Sequence, residues 1–334
     1  MRYVFQADAS PSIGSGHVMR SSAIAEEFIS RGDEVIFAGK ISGLNWVEQR
    51  ISSLGFSEIY SDLSVFSPNR ETDILILDSY TLELDNSFLD PNNWYAVITI
   101  VDPVTPPYEA ILRIHPGLNS DWYENKNIPI LSGPRYIPLR KGILTKNAGI
   151  SKDIGILNIL VSSGGTDSLG LVSAVAQLLS ETKINFKAYL FTNHCSIVDL
   201  DSRFEILAIG QELDSFAKIA DLVFTTASTS AIEFIAMGLP VGVICSVENQ
   251  ESYYSILGKL KIAAQVGLRN ESDQWVLNRN LIQKLIVSHK FREKFSTKAT
   301  GLIDTHGASR LVDAIKKVGG TTSLNDGTDQ IGRN

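Results

Sequence analysis

The chain has 334 residues, 44% hydrophobic and 20% charged, the balance of a globular protein rather than a disordered or fibrous one. Its 37 acidic and 30 basic residues give a formal charge of −7, and no Lys/Arg run of the kind that binds nucleic acid occurs, so neither DNA nor RNA is an expected partner. Cys195 and Cys245 are too few for a disulfide framework or a structural zinc site, and no stretch reaches the ~18 apolar residues of a membrane span; cytoplasmic residence is the expectation.

At roughly 150 residues per domain, the length suggests two domains. Short runs rich in Val, Ile and Phe alternate with longer helical stretches, the rhythm of a parallel sheet covered on both faces. Tyr3–Ala7, Glu34–Ala38, Ile74–Asp78, Ala96–Val101 and Ile111–Ile114 read as strands. Gly16–Arg31 has helical apolar spacing through Val18, Ala23, Ile24, Ala25 and Phe28, with Gly32 as its C-cap. A polar, turn-prone passage between about Pro134 and Lys152 reads as a linker.

Beyond it the rhythm resumes. Strands are expected at Ile154–Val161, Lys187–Phe191, Phe204–Leu207, Leu222–Thr225 and Val241–Cys245, with helices near Leu171–Leu179, Leu213–Ala220, Thr229–Met237 and Gln250–Leu260. Helical segments at Trp275–Ser288, Arg292–Asp304 and Ala308–Lys317 follow, and a polar tail from Gly319 is expected to be disordered. The reading is α/β: two Rossmann-like doubly wound lobes, 1–147 and 148–318, facing a central cleft, with the tail at 319–334. Ligands of such sheets sit outside the carboxyl ends of the strands, so functional residues belong in strand-to-helix loops.

The first such loop runs Ala7-Asp8-Ala9-Ser10-Pro11-Ser12-Ile13-Gly14-Ser15-Gly16-His17. Its glycines let a ligand approach the backbone, and a helix N-terminus favours an anion such as a diphosphate. It lacks the Lys of a P-loop and the third Gly of a dinucleotide fingerprint. Alone, such a turn is more often plain geometry. His17 alters that balance, because an imidazole at a cleft can take a proton from water or a hydroxyl, and it is the candidate general base. Ser162-Ser163-Gly164-Gly165-Thr166-Asp167-Ser168 is a matching turn in the second half. In the segment from Ala220 to Pro240, Glu233 is either the capping-box partner of Ser230 or a carboxylate for ribose hydroxyls.

Asp8 through Arg20, Gly133-Pro134-Arg135-Tyr136, Ser163 through Asp167, and Ala220 through Pro240 with Glu248-Asn249-Gln250 resemble, in order, the pseudaminic-acid pathway UDP-sugar hydrolases. That family cleaves UDP-2,4-diacetamido-2,4,6-trideoxy-β-L-altropyranose and is similar to GT-B glycosyltransferases of the peptidoglycan N-acetylglucosaminyltransferase type. The resemblance covers roughly the first three hundred residues. It implies a GT-B-like fold, a UDP-sugar substrate, no cofactor and no metal, with His17 activating water and UDP leaving. It further implies that Asp8, Gly14, Ser15, Gly16 and Arg20 lie by the sugar and phosphates and that Asp78 and Tyr80 position substrate. Gly164, Gly165 and Thr166 would meet the diphosphate from the other lobe; Ser228, Thr229, Ser230 and Glu233 would hold the nucleotide, and Asn249 and Gln250 would reach the sugar.

The chain departs from that family at Gln6, where Arg is usual, at Asp102-Pro103, where Asp-Asp is usual, and at Ser228-Thr229-Ser230, where Gly-Ser-Thr is usual. Glycosyl transfer from a UDP-sugar is the alternative activity and nucleotide-sugar binding without catalysis a third. No basic–apolar patch for a lipid-linked acceptor stands out in the first lobe. Asp199-Leu200-Asp201 has the spacing of a metal-binding D-x-D pair but reads as a solvated loop beside Arg203.

Overall fold

The computed structural model describes residues 1–83, 87–118, 127–145, 155–193, 200–210 and 213–321. In the first lobe, strands β1 (Arg2–Ala7), β2 (Glu34–Ala38), β3 (Glu58–Tyr60), β4 (Asp73–Asp78), β5 (Ala96–Ile100), β6 (Leu112–His115) and β7 (Ile130–Ser132) form a parallel sheet of order β3-β2-β1-β4-β5-β6-β7. Helices α1 (Gly16–Ser30) and α2 (Asn45–Ser53) follow β1 and β2. Every residue of β4 and β5 is buried, as a sheet covered on both faces requires.

The second lobe repeats the plan. Strands β8 (Leu157–Ser162), β9 (Phe186–Phe191), β10 (Phe204–Leu207), β11 (Leu222–Thr226), β12 (Val241–Cys245), β13 (Ala264–Arg269) and β14 (Trp275–Leu277) take the order β10-β9-β8-β11-β12-β13-β14, with β14 alone antiparallel. Helices α3 (Leu171–Ser180), α4 (Leu213–Ile219), α5 (Thr229–Ala236), α6 (Glu251–Leu260), α7 (Arg279–Val287) and α8 (His289–Ala299) surround it. In both sheets the strand order reverses beside the first strand, β1/β4 and β8/β11, and the two switch points share one cleft.

Four differences from the sequence reading have physical causes. Trp275–Leu277, read as the start of a helix, pairs with Gly267–Arg269 as an edge strand, and the Asn278 side chain accepts from Leu281 N at 3.0 Å to start α7 only then. The helix expected at Arg292–Asp304 begins earlier, where Ser288 accepts from Phe291 N at 3.2 Å, and ends at Ala299. The passage read as a polar linker buries Ile137, Leu139 and Ile143 in the second lobe's core; Lys146 to Lys152 lie outside the described residues.

The last helix, α9 (Gly307–Thr321), continues through Gly319 and Gly320, where a disordered tail was expected; residues 322–334 lie outside the described residues. Although it follows the second lobe in the chain, α9 packs on the first. Leu311, Val312 and Ile315 are fully buried among Phe28, Val18 and Ile74, and Tyr95 donates to Gly319 O at 2.8 Å. An apolar stripe buried against the first lobe outweighs proximity along the chain.

Candidate active site

Loops after β1, β4, β5, β8, β11 and β12 line a cleft of about 1110 Å³ between the lobes. Gly14, Ser15, Gly16, His17, Arg20 and Tyr80 come from the first lobe. Gly164, Gly165, Thr166, Ser228, Thr229, Ser230, Glu233, Asn249 and Gln250 come from the second. Asp8 and Asp78 are outside this lining. Asp8 accepts from Lys40 N at 2.7 Å and from Gln6 Nε2 at 3.1 Å, tying the first loop to the end of β2. Its carboxyl is pushed up by burial, against the lowering effect of those donors.

Asp78 lies beneath the cleft, fully buried, where it accepts from Arg20 Nε at 2.6 Å and Ser21 Oγ at 3.2 Å and sits 2.6 Å from His17 Nδ1. Burial pushes this carboxyl up, but Arg20 and His17 overcome that and hold it at about 2. An ionised Asp78 makes Nδ1 the ring's N–H donor, which leaves Nε2 as its lone-pair nitrogen. Arg20 Nη2, 3.2 Å from Nδ1, is then a second donor converging on Asp78 rather than a hydrogen-bond partner of the ring.

Tyr80 packs edge-on against His17 with ring centroids 4.1 Å apart, and its hydroxyl donates to Asp102 Oδ2. Burial, with Asp102 adding to it, pushes the Tyr80 phenol far up, so it remains a protonated donor. Asp102 also accepts from Arg20 Nη1 at 3.4 Å. Asp78 therefore reaches the cleft through His17 and Arg20, while Tyr80 borders it directly.

Across the cleft, Gly16 faces Thr229, whose Oγ1 would lie 3.8 Å from a Cβ placed on the glycine, so the N-termini of α1 and α5 point at a common space. Neither N-cap, Ser15 nor Ser228, bonds its helix through its side chain. Ala231 N bonds back to Ser228 O at 3.0 Å, so in α5 the N–H groups that the cap leaves to a ligand or to water are those of Thr229 and Ser230, as in α1 those of Gly16 and His17. Of the two readings of Glu233, the capping box is not formed: its oxygens accept from Arg140 Nε at 2.7 Å and Nη2 at 2.8 Å. Gln250 Oε1 accepts from Ser246 N at 3.0 Å and Ser246 Oγ at 2.8 Å, which turns its NH₂ group away from Ser246 as a donor.

Arg140, Trp46 and Tyr253 are among the cleft residues that sequence reasoning missed. Arg140, in the passage read as a linker, carried no local signal and is found only through Glu233. Trp46, on α2, crosses to the second lobe, donates from Nε1 to Gly165 O at 3.3 Å and covers Gly210. Tyr253, on α6, donates to Pro116 O at 3.0 Å, and burial pushes its phenol up to about 12. Among the described residues no group of three or more His, Cys, Asp or Glu side chains could hold a metal ion. Asp201 pairs with Arg203 at 2.8 Å on the surface, while Asp199 and Cys195 lie outside the described residues.

Two doubly wound lobes facing one cleft define the GT-B architecture, and solved structures of that class superpose over nearly the whole chain. A glycotransferase of kitacinnamycin matches at TM-score 0.66 with 14% identity, over 95% of this chain and 98% of that one. MurG of Acinetobacter baumannii matches at TM-score 0.61 with 14% identity, over 95% and 100%. MnaA of S. aureus, in a structure with UDP, matches at TM-score 0.62 with 12% identity, over 99% and 100%. By sequence, no protein-family model and no curated protein matches the chain. At these identities the likeness shows the fold. Among the described residues no helix is long and apolar enough to cross a membrane.

Proposed function

We propose that the chain is a GT-B enzyme that transfers a glycosyl group from a nucleoside-diphosphate sugar to an oxygen nucleophile. The observation that carries this reading is the His17–Asp78 contact of 2.6 Å at the N-terminus of α1, opposite the uncapped N-terminus of α5. His17 Nε2 takes the proton of the nucleophile as its oxygen bonds to the anomeric carbon. The bond from that carbon to the phosphate oxygen breaks, and the nucleoside diphosphate leaves with the electron pair. Asp78 positions the imidazole and balances the imidazolium as it forms.

The diphosphate lies between the first turns of α1 and α5, against Gly164, Gly165 and Thr166, where backbone N–H groups meet its charge. Glu233 has acceptor capacity left beside Arg140 for ribose hydroxyls, since a carboxylate offers about four lone-pair sites. Asn249 and Gln250 donate to the sugar. The names of structural neighbours, MurG and the kitacinnamycin glycotransferase among them, support transfer. So does the cleft of about 1110 Å³, which exceeds the roughly 300–1,000 Å³ usual for a single small ligand.

Hydrolysis is the second reading, favoured by the resemblance of Gly14-Ser15-Gly16-His17 and Asp78-Ser79-Tyr80 to the UDP-sugar hydrolases; there the nucleophile is water and the free sugar enters nonulosonic-acid synthesis. Phosphorus NMR with a panel of UDP- and TDP-sugars, with and without acceptor alcohols, tests both. Transfer predicts release of nucleoside diphosphate that depends on acceptor and on His17; acceptor-independent release would establish hydrolysis. Turnover undiminished in His17→Ala would remove the proposed base in either case.

A further inference from the structure

Away from the cleft, α8 and the end of α6 build a lysine-rich face. Lys261, Lys290, Lys294 and Lys298 surround a shallow depression of about 610 Å³, with Phe295 and Thr297 in its lining and Glu293 as its one acid. Lys284 extends the belt, its ammonium 4.4 Å from the centre of the Phe291 ring. Next to Lys261, Leu260 is 38% exposed, and Val287 at the end of α7 is 59% exposed. Among the described residues none of Lys259, Lys261, Lys290, Lys294 and Lys298 is in an ion pair, although Arg2, Arg31, Arg203 and Arg310 elsewhere on the surface all are.

In a chain of net charge −7, unpaired lysines drawn to one side make a local field of the opposite sign. Their methylene stems and Phe295 give the depression apolar walls below cationic heads. That combination suits a surface that is anionic outside and apolar a few ångströms in. Sequence-specific nucleic-acid contacts would call for arginine forks. Here the arginine of α8, Arg292, is buried and donates to Leu285 O and Ile286 O at 2.8 and 2.9 Å. We infer that this face of the second lobe docks reversibly on anionic lipid bilayers.

The face shares no residue with the cleft lining, so the inference stands apart from the proposed reaction. It is tested by co-sedimentation of the full chain with phosphatidylcholine vesicles with and without phosphatidylglycerol. Binding is expected to rise about tenfold or more with the anionic lipid and to fall back in high salt. A K290E/K294E/K298E variant loses the anionic-lipid increment while keeping its thermal midpoint. If that variant fails to fold, K290Q/K294Q serves in its place. Equal binding to neutral vesicles, or undiminished binding by the folded variant, overturns the inference. Equal, salt-sensitive binding to short duplex DNA overturns it too, because the face would then be a general polyanion surface.

Discussion

His17 joins a sequence signal to a structural reason. Its place after Gly14-Ser15-Gly16 was legible in the chain, but its partner Asp78, 61 residues away, meets it only because β1 and β4 are neighbours in the sheet. Asp78→Asn is expected to lower kcat by about 10²–10⁴ with KM changed little, since it disturbs the proposed base rather than the proposed binding contacts. It also removes the carboxylate facing buried Arg20, so the thermal midpoint falls. His17→Ala separates the two effects: turnover falls as far while the Arg20–Asp78 pair stays intact. Wild-type turnover in Asp78→Asn would show that His17 needs no positioning carboxylate.

The same carboxylate sets an acid limit on stability. Asp78, held at about 2 against an ordinary value near 4, binds fewer protons folded than unfolded. Its contribution is therefore complete above about pH 4 and is lost as pH falls toward 2; for a shift of nearly two units it is on the order of 2 kcal/mol. Denaturant midpoints measured across this range should decline in the wild type and be flatter in Asp78→Asn. Parallel curves would mean that the carboxyl is not held down in the fold.

Between elements, the two lobes meet so closely that two glycines are explained by the opposite lobe. A Cβ on Gly165 would lie 1.8 Å from Ser15 Oγ, and one on Gly210, which has φ +87°, would lie 2.4 Å from Trp46 Cγ. The sequence showed Gly165 as part of a strand-to-helix turn, but nothing near Gly210 announced that α2 of the other lobe would cover it. The strands and most helices were legible because apolar period is local. Trp46, Arg140 and Tyr253 were not, because what places them in the cleft is a neighbour far along the chain.

Gly210→Ala is expected to force the lobes apart at this edge, raising the donor KM several-fold and increasing the radius of gyration in scattering. Trp46→Ala on that background should return the compact form in part, because the variant glycine's crowding partner is gone, although the left-handed backbone strain remains. Identical scattering from the wild type and Gly210→Ala would show that the contact does not hold the lobes together.

At the scale of the molecule, α9 decides what counts as a folding unit. The chain leaves the second lobe after α8 and returns to bury Leu311, Val312 and Ile315 on α1 and the first sheet. Burying each large aliphatic side chain contributes roughly 1.5–3 kcal/mol, which for three is comparable with the whole stability of a domain. Arg31–Asp313 at 2.6 Å lies at the edge of this contact and, with Asp313 solvent-exposed, adds little. A first lobe cut at residue 147, where the sequence alone suggests a boundary, would thus lack part of its own core. Such a fragment is expected to expose apolar surface to dye binding and to melt without a cooperative transition. Adding a peptide of residues 307–321 should restore that transition, with a midpoint that rises with peptide concentration. Cooperative melting of the fragment alone at the full chain's midpoint would mean that the returning helix is an attachment rather than a part of the first lobe's core.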